Sequence, residues 1–336
     1  YYAEFLMATK IRQRIKLNLK FYKYSFFVKW IMHIAFTIGL VMPYAAHAYS
    51  GITIVLSANT SVYQEFVTHF KQEIIALKHS ELRVRVIDLQ ESDKLVVAEN
   101  SELVIALGVK ALEAAGKLKQ STLVIGVFTP LPTFNSLMAA NDRDLGNFSA
   151  IVLDQPYARQ ISLIKLVLPE AKVLGLLTGF TSEKHSESIK QIGEQNNLSV
   201  LNEQLFNETE LIPKLRTILT TTEALMAIPD PLVYTRETAQ AILLTSYYYQ
   251  KPVFGYSKSY VQAGALAGVY SNTQQLAKQA AEIAVDSLAA PGLLPAPQTP
   301  KYFSIAVNYQ VAKSLNIMMM DENLLHEKML EIESLQ

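Results

Sequence analysis

From residue 51 onward, short runs made almost wholly of apolar side chains take turns with segments whose apolar residues recur every three or four positions. That alternation admits few folds. The runs at 51–56, 103–107, 122–127, 173–178 and 224–228 lack charged residues, as strands do when both faces of a sheet are covered. Residues 82–89 and 198–204 read as more polar strands. Between the first two runs, Ser61 and Gln64 make a capping-box pattern, and Val62, Phe66, Phe70, Ile74 and Leu77 follow at helical spacing. Helices are likewise predicted over 109–119, 182–196, 211–221, 236–248 and 271–288. The expected class is α/β, built on parallel sheets with helices on both sides.

The pattern starts afresh after the extended segment 147–154. Pro156 stands where a helix would begin, with Ile161, Ile164 and Leu168 along one side and Pro169 near its end. No Gly- or Ser-rich linker separates the halves, so two similar α/β units joined by extended crossings are expected. Pro291, Pro295, Pro297 and Pro300 impose an extended segment before a last strand at 302–307. In the tail, Leu325, Met329 and Ile332 are spaced for a short amphipathic helix that packs on the body.

Charge is unevenly spread over the 336 residues, although lysines and arginines balance aspartates and glutamates at 30 each. Residues 1–48 hold seven basic side chains against the single acid Glu4, which leaves 23 basic and 29 acidic on the remainder. A mildly acidic body carries no footprint for nucleic acid. The basic head, the apolar run that follows it and Ala46-His47-Ala48 have the layout of an export signal cleaved after Ala48. The alternative is an uncleaved membrane anchor, against which Lys29, His33 and Pro43 break the apolar run below the length of a membrane span. With no cysteine in the chain, neither disulfides nor a lipid-modified cysteine are available, and a free periplasmic protein is expected.

One stretch organises the second half: PVFGYSKSYVQAGALAGVY, residues 252–270. It reads as a short buried strand, a polar aromatic loop at 255–260 and a small-residue run. Val261, Ala263, Gly264, Ala265 and Leu266 in this stretch resemble the "V-x-A-G-A-L" signature of ABC importer substrate-binding proteins typified by tryptophan- and tyrosine-binding members. LVIALGVKALEA (103–114), VIGVFTPLPTF (124–134), NFSAIVLDQPYARQISLIKLVLPEAKVLGLL (147–177) and KYFSIAVNYQVAKSLNI (301–317) are similar to further segments of that family. Two loops depart from its pattern, SANTSVYQ at 57–64 and Pro229-Asp230-Pro231. The resemblance implies a two-lobed type I periplasmic-binding fold, each lobe a parallel sheet sandwiched by helices, hinged by three crossings. It divides the chain into a signal at 1–48, a first lobe of 49–153 with 271–305, a second of 154–270 with 306–317, and a tail at 318–336.

Ligands of such sheets sit beyond the strand C-termini. On the first lobe this points to Ser57, Asn59 and Tyr63, and to Gly108, Phe128 and Thr129. Ser57 reads equally as a helix cap. On the second lobe it points to Thr178, Phe180, Asp230, Tyr256, Ser257 and Tyr270. Asp230, held between prolines, suits a ligand amino group or a turn that binds its own backbone. Tyr234, Tyr256, Tyr260 and Tyr270 offer an aromatic wall for a flat or cationic ligand.

The sequence carries no P-loop, nucleophile elbow or paired-histidine zinc motif, so no enzyme, cofactor or metal is expected. The expected function is capture of a small polar, aromatic or amine-bearing solute by a monomer whose closed form docks on an ABC permease. A membrane sensor is the alternative partner, and a periplasmic hydrolase ranks below both.

Overall fold

A computed structural model of the protein describes residues 51–80, 82–91, 98, 101–289 and 293–335. The expected export signal lies outside these residues. Among the described residues no helix is long and apolar enough to cross a membrane.

The first lobe is a five-stranded sheet in the order β2-β1-β3-β4-β5, formed by β1 (Gly51–Leu56), β2 (Arg83–Asp88), β3 (Leu103–Leu107), β4 (Leu123–Thr129) and β5 (Phe148–Val152). Every pairing is parallel. Helix α1 (Ser61–Ala76) covers one face through Phe66, Phe70 and Ile74, while α2 (Val109–Gly116) and α3 (Leu131–Ala140) cover the other through Ala111, Leu112 and Phe134. The expected Ser61–Gln64 capping box is replaced by a single cap one residue earlier. Thr60 is the cap, its hydroxyl accepting the Tyr63 N–H, and Val62 is exposed where the spacing buried it.

The second lobe is a six-stranded sheet of β6 (Val173–Thr178), β7 (Ser199–Gln204), β8 (Ala224–Met226), β9 (Val253–Gly255), β10 (Ala267–Tyr270) and β11 (Ser304–Val307), ordered β11-β10-β9-β8-β6-β7. The edge strand β11 runs antiparallel to β10, a departure from the expected parallel sheet. Helices α4 (Tyr157–Val167) and α5 (Ser186–Gln195) line one face, and α6 (Leu211–Thr221), α7 (Arg236–Tyr248) and α8 (Lys258–Gln262) the other. The loop expected at 255–260 thus gives way to a short helix, capped by the Ser257 hydroxyl.

Three crossings join the lobes. The chain passes to the second lobe at 153–156 and leaves it after Tyr270. It then forms α9 (Thr273–Ala289), which packs on α1 in the core of the first lobe, and returns through the proline segment to β11. On the way back, Gln298 pairs with the first sheet by accepting the Val152 N–H and donating to the Ala150 carbonyl. Helices α10 (Tyr309–Ser314) and α11 (Glu322–Ser334) then complete the second lobe, with Leu325 and Met329 fully buried in its core.

Candidate functional site

The strand ends of the first lobe bring Ser57, Tyr63, Gly108 and Phe128 together. Ser57 Oγ accepts the Ala111 N–H at 2.8 Å, tying the end of β1 to the first turn of α2. Gly108 has a φ of +86°, and a Cβ there would lie 2.3 Å from the Tyr63 hydroxyl oxygen. Only glycine permits both that backbone and that approach. Burial raises the Tyr63 phenol above its usual pKa, with the hydrogen bond to Ser57 opposing. Phe128, at φ +59°, sets its ring 5.5 Å from Tyr63 and 5.7 Å from Phe66. Asn59 stands apart on the surface, bonded to Gln64 at 2.9 Å. Thr129 is fully buried, and its hydroxyl finds no partner among the described residues.

On the second lobe, Thr178 is buried and donates to Glu183. Burial alone would raise the Glu183 pKa, but hydrogen bonds from Thr178, Asn202 and Ser186, with Lys190 nearby, bring it below the usual range. Phe180 is 86% exposed at the tip of the same loop. Asp230 is 4% exposed, and its carboxylate accepts four backbone N–H groups, those of Gly179, Ser182, Leu232 and Val233. Those bonds occupy it as a clasp between two loops, the turn arrangement weighed above. Of the four tyrosines, Tyr234 and Tyr260 are buried, and Tyr256 stacks on Tyr260 at 5.4 Å while donating to the Tyr234 carbonyl.

Between the lobes lies a cavity of ≈ 390 Å³, bounded by all three crossings. Pro130 and Leu276 of the first lobe line it, as do Tyr256, Ser257, Lys258 and Tyr270 of the second. Tyr256, Ser257 and Tyr270 are therefore the expected site residues that the structure gathers around this space; Ser57, Asn59, Tyr63, Gly108, Phe128 and Thr129 of the first lobe do not line it. Its floor consists of residues that strand-end logic passed over: Asp154, Gln155, Tyr157, Gln160, Ser271 and Pro300. Their signal was the crossing itself, since a hinge segment is where both lobes meet.

The floor is polar and unevenly satisfied. Asp154 Oδ2 accepts the Leu131 N–H at 2.7 Å, at the start of α3, whose dipole favours the negative charge. Its other oxygen accepts no hydrogen bond from the described residues. Burial, reinforced by the Asp154 charge, pushes the Tyr157 phenol far above its usual pKa and keeps it a neutral donor. Gln160 is 5% exposed and lines the cavity, yet no described residue is hydrogen-bonded to its amide. With no such partner, the amide opens onto the cavity, where a solute's polar groups can pair with it. Lys258 supplies the cavity's ammonium, 5.8 Å from the centroid of the Tyr270 ring. The arrangement can hold a small molecule by charge, amide hydrogen bonds and aromatic contact.

The ABC transporter substrate binding protein family model matches residues 81–329. The chain belongs to this family. Among solved structures, this substrate-binding protein resembles an open, ligand-free substrate binding protein with adhesive properties from Clostridium difficile, at 17% identity and a TM-score of 0.63, covering 81% of this chain and 96% of that one. It also resembles the ABC domain in complex with L-Trp from Streptococcus pneumonia, at 17% identity and a TM-score of 0.55, covering 82% and 97%. A conserved domain protein from Vibrio cholerae aligns at 16% identity with a TM-score of 0.54, covering 82% and 97%. At such identities the likeness speaks for the fold, which is the expected two-lobed type I periplasmic-binding fold. Comparison with the curated proteins finds no match.

Proposed function

We propose that this substrate-binding protein is the periplasmic receptor of an ABC importer and that it captures an amine-bearing, aromatic-sized solute in the cavity between its lobes. The observation that carries this reading is the cavity floor, where one Asp154 oxygen and the Gln160 amide, neither hydrogen-bonded by the described residues, share the cavity with Tyr157, Tyr256 and Tyr270. A carboxylate beside aromatic faces suits an ammonium group, because charge and ring quadrupole attract it together. Lys258, on the second lobe, suits a carboxylate at the solute's other end. A volume of ≈ 390 Å³ lies within the usual range for small-ligand sites, at its lower end. The L-Trp complex of the Streptococcus relative makes aromatic amino acids the first compounds to try.

In this reading Asp154 takes the part first assigned to Asp230, whose oxygens are occupied within the protein. Of the eight remaining expected contacts, Ser57, Tyr63, Gly108, Phe128 and Phe180 meet the solute on closure, whereas Asn59 is bonded to Gln64 and Thr129 and Thr178 are buried. Solute bridging both lobes favours the closed state by its extra contacts, and that state is the one a permease reads. Isothermal calorimetry against aromatic and aliphatic amino acids, amines and purines tests the proposal. Binding of an amine-bearing member, lost in Asp154→Asn, is the expected result. A blank across the panel with folded protein overturns it.

A further inference from the structure

The residue behind the cavity floor is Arg159, on the first turn of α4 next to Gln160. It is 6% exposed and does not line the cavity, yet it holds two residues that do. Its Nη1 donates to Gln155 Oε1 at 2.8 Å and to the Pro300 carbonyl at 2.9 Å. Gln155 Nε2 in turn donates to Ser271 Oγ at 2.9 Å, and Ser271 Oγ donates to the Tyr302 carbonyl at 2.6 Å. Gln155, Ser271 and Pro300 belong to the first, second and third crossings, so one side chain and its immediate partners join every strand of the hinge.

The other edge of the same guanidinium is held from outside the hinge. Nε and Nη2 of Arg159 donate to the two carboxylate oxygens of Glu333 on α11, a two-pronged pair. Its plane lies over the Phe303 ring, 4.1 Å from the centroid, and Phe303 touches His326 of α11 at 4.8 Å between ring centres. A buried cation is costly without its counter-charge. Glu333 therefore does more than decorate the surface: it keeps Arg159 where it can grip the crossings.

From this geometry we infer that Arg159 is a positioning residue of the solute site. Backed by Glu333 of the C-terminal helix, it fixes the relative placement of the three crossings and so sets how far the lobes stand apart. The inference rests on the receptor reading, in which lobe movement about the crossings matters, but its test uses no solute and can fail or succeed independently of the calorimetry. The chain contains no cysteine, so Lys71→Cys on α1 and Ser188→Cys on α5, both exposed, place one spin label on each lobe without competing sites.

Interlobe distances are then measured by pulsed electron resonance in the labelled parent, Glu333→Gln, Arg159→Lys and the double variant. Lysine keeps the charge but lacks the fork that reaches Glu333, Gln155 and Pro300 together. Expected is a shift of the distance distribution in the same sense for both single variants, with no further shift in the double, because both cut one linkage. A folded variant whose melting temperature falls while its distances match the parent shows a merely structural role and overturns the inference. Should Arg159→Lys fail to fold, Glu333→Gln decides by the same criterion.

Discussion

Asp230 and Gly179 are locked face to face: Asp230 Oδ2 accepts the Gly179 N–H at 3.1 Å, and a Cβ on Gly179 would stand 2.4 Å from Asp230 Oδ1. The glycine is there so that the carboxylate can approach. Its effect is to hold rigid the loop that presents Phe180 to solvent.

Asp230→Ala leaves several buried backbone N–H groups without acceptors and is expected to cost about 3 kcal/mol of folding stability. Urea unfolding measures it, and Gly179→Ala should act in the same direction.

Gly108→Ala meets two obstacles, a positive φ and the Tyr63 hydroxyl. A loss of about 1–3 kcal/mol is expected from the backbone alone. Thermal unfolding reports the loss, and a melting temperature equal to the parent's contradicts the argument.

Gln160→Leu removes an amide that opens onto the cavity and bonds no described residue, so the unliganded protein should keep nearly its parent stability. Affinity for the solute identified by calorimetry should nevertheless fall about tenfold, equivalent to about 1.4 kcal/mol. Unchanged affinity removes Gln160 from the site.

His185 packs its ring 5.6 Å from that of Tyr157, and burial, then Lys184, lowers its pKa while Asp154 opposes. Above about pH 6.5 the ring is neutral in both folded and unfolded chains, and its contribution to stability is fully present. As the pH falls, the unfolded chain takes the proton first, so stability declines until the folded His185 also titrates. Melting temperatures between pH 7 and pH 5 should show this decline, flattened in His185→Gln.

Leu325 and Met329 are fully buried where α11 meets the second lobe. Leu325→Ala is expected to cost about 2–5 kcal/mol. A free-standing tail would show almost no change in urea unfolding.

What the sequence revealed follows from how strongly each element depends on its own residues. The runs at 51–56, 103–107 and 173–178 are apolar on both faces and could be read to the residue. Strand β5 reads in sequence as part of a crossing segment, yet it is buried throughout, Ser149 included. Helix α3 escaped notice because Pro132 stands near its start and its residues show little periodicity. The antiparallel hand of β11 depends on a long return through the first lobe and has no local signature. At the site, Tyr256 and Ser257 are legible as a strand end and Tyr270 as one of a set of aromatic side chains. Gln160 was not, because a glutamine on an amphipathic helix reads as surface until the crossings bury it.

The excursion of α9 into the first lobe, followed by the return of β11 to the second, means that neither half corresponds to one continuous length of chain. A gene cut after Tyr270 would yield one half missing a helix from its core and another missing its edge strand and C-terminal helices. During synthesis the first half awaits α9 and the second awaits β11 and the helices after it, so neither reaches its finished form before those segments leave the ribosome.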